Sequence, residues 1–98
     1  MSKNKNLTII ETFNLAVKNH QEGKTDIAQN LYIKVLEIDP NHSQTLNNRG
    51  TIFTNLKEYQ KAKECFEKVI EINPNYASAY NNLGVIFLGL GEIEKAKD

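Results

Sequence analysis

The side chains able to ligate a soft metal or act as a strong nucleophile are few: His20, His42 and Cys65. A zinc site needs ligands brought in pairs to one face, and neither a CxxC nor an HxxxH spacing is present. There is no glycine-rich phosphate loop, no GxSxG elbow and no Ser/His/Asp or Cys/His set with a structural rationale. The sequence therefore predicts no metal, no cofactor and no catalytic residue, and the chain by itself reads as non-enzymatic. Cys65, next to Phe66, is expected to be a small, partly buried hydrophobe. As a single cysteine it excludes an internal disulfide framework and fits a reducing compartment. Glu64, Glu67, Lys68 and Glu71 form a charge run that reads as a solvated helix face with i,i+4 support.

Bulk properties narrow the partners. A chain of 98 residues buries only roughly 60–65% of the surface its unfolded form exposes, so a large enclosed active site is not expected. Twelve Lys and Arg balance twelve Asp and Glu, which leaves no global field to draw it onto nucleic acid or an anionic membrane. An apolar content of 40% with two prolines is enough for a packed core. The opening MSKNKNLTII lacks the apolar run of a signal peptide, and no stretch approaches the ~18 apolar residues that span a bilayer. The expectation is a soluble, cytoplasmic protein whose partner is a protein or peptide recognised by local surface.

Any such surface must be positioned by a repeat of period 34. IDP at Ile38 to Pro40 returns as INP at Ile72 to Pro74, LNNRG at Leu46 to Gly50 returns as YNNLG at Tyr80 to Gly84, and Ala28 returns as Ala62 and Ala96. Within each unit the apolar spacing is helical. Leu46, Gly50 and Phe53, then Tyr80, Leu83, Gly84 and Phe87, fall on i, i+3, i+4, i+7 rows, and Ala62, Phe66, Val69 and Ile70 form a second stripe. Each unit reads as two antiparallel helices. Gly23 and Gly91 stand where the first helix needs a left-handed terminal residue. Pro40 and Pro74 stop the second helix and push Asp39 and Asn73 out of the α region.

These residues resemble the tetratricopeptide repeat, whose W-x2-L-G-x2-Y…A-x3-F…P pattern can be laid on the chain from Ile9, Ser43 and Ala77. The small position is Ala16, Gly50 and Gly84; the second-helix alanine is Ala28, Ala62 and Ala96; the aromatic is Tyr32 and Phe66; the closing proline is Pro40 and Pro74. The resemblance implies an all-α, right-handed solenoid of helix hairpins: a tail at 1–8, repeats at 9–42 and 43–76, and a truncated third repeat at 77–98. Small residues let the two helices of a unit approach closely while the aromatics fill the wedge. Thr12 and Asn19 depart from the pattern in the first unit. Arg49 stands where Leu is usual, with a stem that can pack and a guanidinium free to reach water or a carboxylate.

In this family the first helices line a concave groove, and the resemblance places eighteen side chains there. They include Phe13, Asn14 and Val17, then Asn47, Asn48 and Thr51, then Asn81, Asn82 and Val85. None of the eighteen is charged, where a chain with 24% charged residues would put about four. Family members that clamp a chaperone's terminal carboxylate use lysine and arginine at positions that are uncharged here, so that function is not expected. Asn14, Asn48 and Asn82 instead resemble the asparagine ladder of O-linked N-acetylglucosamine transferases, whose amides contact an extended peptide backbone. An amide offers a donor and an acceptor without selecting a charge. The expected function is thus a protein-interaction module for an extended, largely neutral peptide, with Ile10, Phe13 and Val17 as an apolar entrance. The alternatives are the substrate-docking part of a larger enzyme such as a glycosyltransferase, or a self-associating scaffold.

A complete third unit would run about twelve residues past Asp98. Tyr80, Leu83, Phe87, Leu90 and Ile93 are therefore expected to lack most of their partner, and either to fray after Gly91 or to be covered by another copy as a homo-oligomer.

Overall fold

The computed structural model describes the backbone of residues 5–97 and the side chains of residues 8–91. Five α-helices account for it: α1 (Lys5–Gln21), α2 (Thr25–Ile38), α3 (Ser43–Asn55), α4 (Tyr59–Ile72) and α5 (Ala77–Lys97), with no strand among the described residues. Helix α1 starts inside the stretch assigned to a tail, because no glycine or proline precedes it to break the helix. The chain divides into two compact units, 1–45 and 46–98.

In the first unit α1 and α2 pair as an antiparallel hairpin, with Ala16, Ala28, Tyr32 and Val35 fully buried. The turn is closed by Gly23 at φ 78°, the left-handed conformation that glycine adopts without a Cβ penalty. Its N–H donates to the His20 carbonyl at 3.1 Å and the Lys24 N–H to the Asn19 carbonyl at 2.9 Å. This pair of bonds is the Schellman arrangement, which satisfies carbonyls that a helix end would leave orphaned.

The second unit repeats this chemistry with a different residue. Lys57 holds φ 61°, its N–H donates to the Thr54 carbonyl at 3.0 Å, and the Glu58 N–H donates to the Phe53 carbonyl at 2.8 Å. Here α3 packs on α4 through Gly50, where a Cβ would lie 2.6 Å from the Phe66 ring. Next, α4 packs on α5 through Gly89, where a Cβ would lie 2.8 Å from the Tyr59 ring. Leu46, Ile52, Ala62, Phe66, Val69, Ala79 and Ile86 form the core.

Both second helices end as the prolines require. Asp39 and Asn73 take extended conformations (φ −133°, ψ 91° and φ −136°, ψ 90°). The carboxylate of Asp39 accepts from the Asn41 N–H at 3.1 Å, and the amide oxygen of Asn73 accepts from the Asn75 N–H at 3.3 Å. These side chains mimic a backbone turn around each proline.

The third repeat corrects two expectations. No turn forms at Gly91, and α5 runs through it to Lys97 as one helix. The residues that follow Gly91 are Glu92, Ile93, Glu94, Lys95, Ala96 and Lys97. Glu, Lys and Ala continue a helix readily, so staying helical costs only the ~1 kcal/mol of a glycine in a helix. The buried face of α5 also differs from the expected stripe. Ala79 and Ile86 are buried, while Tyr80, Gly84 and Phe87 are exposed.

Candidate functional site

Within the second unit, α3 and α5 each present a row of amides. The Asn82 side-chain Nδ2 donates to Asn47 Oδ1 at 3.4 Å, joining the fifth position of one unit to the sixth position of the next. With that bond made, Asn47 keeps both N–H donors of its amide and Asn82 keeps its carbonyl oxygen. Asn48 is half-buried one residue along α3, and Asn81 is exposed one residue back on α5. Thr51 and Thr54 spend their hydroxyl protons on the helix itself, donating to the carbonyls of Asn47 at 3.1 Å and Gly50 at 2.8 Å. They keep only acceptor capacity on this face. Val85 and Leu88 are exposed beside Asn81, Leu88 at 72%.

In the first unit, Asn14 is exposed and Val17 half-buried. Phe13 is half-buried too, its ring 6.1 Å from Tyr32 and 5.0 Å from His42 in centroid distance. The ring expected as a free apolar entrance is therefore part of an aromatic group that also includes His20, whose Nδ1 is hydrogen-bonded to the Tyr32 hydroxyl at 3.2 Å. Ile10 is exposed.

His42 has a role that its side-chain type did not announce. It precedes α3, and its Nδ1 accepts from the Thr45 backbone N–H at 3.3 Å and from the Thr45 hydroxyl at 2.8 Å. The ring thus caps the helix and satisfies a fully buried hydroxyl. Its position before the helix, three residues ahead of a threonine, was the signal available.

Of the residues expected at a self-association face, Tyr80 and Phe87 are 50% and 55% exposed, whereas Leu83 and Leu90 are half-buried. Tyr80 is anchored by its hydroxyl, which donates to the Pro74 carbonyl at 3.0 Å. Ile93 lies outside the described side chains. No group of three or more metal-ligating side chains is found among the described residues, and no described helix is long and apolar enough to cross a membrane.

On the opposite side of α3, the Arg49 guanidinium lies 5.2 Å from the centroid of the Phe53 ring, and the Lys61 ammonium, paired with Glu58 at 3.5 Å, lies 5.7 Å from the same centroid. Burial pushes the Cys65 thiol above its ordinary value, Arg49 and Lys68 pull it back, and Glu64 opposes them. The i,i+4 spacing of Arg49 and Phe53 was the sequence signal for this cluster.

Comparison with known families supplies the lineage. Three tetratricopeptide repeat family models match residues 11–42, 43–76 and 65–98, and together they span 11–98. The chain is a tetratricopeptide repeat protein. The match at 65–98 begins inside α4 and so covers the α4–α5 pairing, in keeping with the unbroken α5. Two solved tetratricopeptide structures are similar. The N-terminal domain of stress-induced protein-1 from C. elegans superposes with a TM-score of 0.82 at 19% identity, over 95% of this chain and 79% of that one. The first tetratricopeptide domain of Spaghetti (RPAP3), bound to the HSP90 peptide SRMEEVD, gives 0.80 at 26% identity, over 91% and 71%. Among curated proteins, the uncharacterized protein ycf37 of Pyropia yezoensis is 32% identical over 63 residues, 63% of this chain. The chain spans 35% of that relative's length.

Proposed function

We propose that this tetratricopeptide repeat chain is a protein-interaction module that holds an extended peptide against the uncharged faces of its first helices, and that its task is binding rather than catalysis. The observation that carries the reading is the Asn82 to Asn47 hydrogen bond. It fixes two neighbouring amides so that one offers N–H donors and the other a carbonyl acceptor, the complement of a peptide unit. Asn48 and Asn81 extend this set, Thr51 adds an acceptor, and Val85 adds apolar contact for a neutral side chain. Asn14, Phe13 and Val17 hold the corresponding register positions on α1. The similar Spaghetti domain, which binds a peptide, supports the same class of function. The charge-free register here favours a neutral ligand over a terminal carboxylate.

The test is replacement of Asn48 and Asn82 by Ala, with affinity measured for a neutral extended peptide selected from a display library. Loss of a few hydrogen bonds at about 0.5–1.5 kcal/mol each is expected to weaken binding about tenfold or more without unfolding. Unchanged affinity overturns the amide reading.

Self-association through α5 is a second reading, and one specific observation favours it. A Cβ at Gly50 would strike the Phe66 ring, whereas at Gly84, the same register position, nothing lies within 4 Å. Tyr80 and Phe87 flank that open position and are half exposed. Sedimentation of wild type against Phe87→Glu tests it: a concentration-dependent dimer is expected only for the wild type.

A further inference from the structure

Helix α5 carries rings without a seat and seats without a ring. Where helices of the second unit meet at a glycine, an aromatic ring covers it: Phe66 lies over Gly50 and Tyr59 over Gly89, with an added Cβ 2.6 and 2.8 Å from the respective ring. Gly84 and Gly91 are not covered in this way, since a Cβ at either position meets nothing within 4 Å. Two rings of the same helix are open too, Tyr80 at 50% and Phe87 at 55% exposure, and the Tyr80 ring is held by its hydroxyl bond to the Pro74 carbonyl.

These four residues alternate along one stripe. Tyr80, Gly84, Phe87 and Gly91 are spaced four, three and four apart, the a/d spacing of a heptad, and at 100° per residue they fall within about 60° of arc. The stripe lies nearly opposite Gly89, the point at which α5 packs on α4. From Ala77 to Gly91 the helix has no charged residue, so nothing on this face repels a second copy of itself. The spacing is also self-complementary. A two-fold axis midway between residues 85 and 86 places Phe87 against the partner's Gly84 and Tyr80 against the partner's Gly91, and the symmetry makes each contact twice. A parallel pair in register would instead set ring on ring and glycine on glycine.

We propose that α5 pairs antiparallel with α5 of a second copy, each Phe87 ring seated on the partner's Gly84 and each Tyr80 ring on the partner's Gly91. The inference rests on the self-association reading above and supplies its geometry. It reuses between copies the contact of ring on helix glycine that the chain makes internally at Gly50 and Gly89. Area sets the strength. An aromatic side chain buries about 150–250 Å², so the open halves of Tyr80 and Phe87 offer about 200 Å² per copy. With Leu88 and the glycine backbone at the edges, the pair buries on the order of 800–1,000 Å² in total, the low end for a specific interface. The dimer is thus a weak one that exchanges with monomer.

Sedimentation of the intact chain over a range of concentrations tests the register. Wild type is expected to dimerise and Phe87→Glu to remain monomeric. Gly84→Leu and Gly91→Leu fill the two seats and are each expected to weaken the dimer about tenfold or more, while the thermal midpoint of the dilute monomer is kept. In a parallel pair the same leucines would meet each other and strengthen association. Combining Gly84→Leu with Phe87→Ala exchanges large and small across the contact and is expected to restore most of the lost affinity. A wild type that stays monomeric to about 1 mM removes the self-association reading and this inference with it. If wild type dimerises through Phe87 but both leucine variants bind as tightly as wild type or tighter, that reading stands and the antiparallel register is overturned. A double variant no better than Gly84→Leu alone overturns the register as well.

Discussion

The Phe66 ring lies over Gly50 so closely that a Cβ on residue 50 would sit 2.6 Å from two of its carbons. Phe66 is fully buried and has no room to retreat. Gly84 holds the same register position with open space around it. One residue type therefore serves close approach in one repeat and meets no neighbour within 4 Å in the next. Gly50→Ala is expected to cost a net ~1–2 kcal/mol, overpacking outweighing the gain in helix propensity. Gly84→Ala is expected to gain about 0.5–1 kcal/mol. Urea midpoints of the two variants check both signs, and stabilisation by both would mean that the Phe66 ring can move aside.

Lys57 holds a left-handed backbone at the register position that Gly23 fills in the first unit. A side chain there costs roughly 1–2 kcal/mol, part of which a glycine gives back through unfolded-state entropy. Lys57→Gly is expected to raise stability by about 0.5–1 kcal/mol. Gly23→Ala is expected to lower it by about 1 kcal/mol, and since nothing lies within 4 Å of the added Cβ the loss is purely conformational. Thermal unfolding of the pair tests the sign reversal.

His42 links a helix cap to a buried hydroxyl. His42→Ala removes the acceptor of both Thr45 bonds and leaves a fully buried hydroxyl without its partner, for an expected loss of about 1–3 kcal/mol. His42→Asn keeps a capping acceptor and is expected to lose less. Amide exchange at Thr45 separates the two variants: fast in the first, slower in the second.

The hairpins of the first two units were legible because their signals are local and repeated. Proline at residues 40 and 74, alanine at 28 and 62 and the aromatics at 32 and 66 each carry one physical role that survives translation by 34 residues. At Gly91 the third repeat departs from the pattern: a glycine permits a left-handed turn without requiring one, and α5 continues through it. Ile52 and Ile86, both buried, lie outside the apolar stripes that run through Leu46 and Tyr80. Arg49 was seen as a departure from the repeat, yet its contact with Phe53 and its proximity to Lys61 and Lys68 needed the facing helix. The amides Asn47 and Asn82, 35 residues apart, were both named from register, while the bond between them was visible only in three dimensions.

Cys65 gives a pH-dependent prediction with a defined sign. Desolvation raises its thiol above the ordinary value of 9.0, Arg49 and Lys68 lower it, and Glu64 raises it. The folded chain therefore favours the neutral thiol. Its contribution to stability is fully present below about pH 9 and is lost as pH rises through the folded value, because the unfolded thiol ionises first. Only the thiolate attacks an alkylating agent, so alkylation of the native protein is expected to turn on at higher pH than in the urea-unfolded chain. Arg49→Leu removes a favourable charge and should push that onset higher still, whereas Glu64→Gln removes an opposing one and should bring it down. Rate against pH for the three proteins is the measurement. An onset that stays fixed in both variants would mean that Arg49 and Glu64 do not act on the Cys65 thiol.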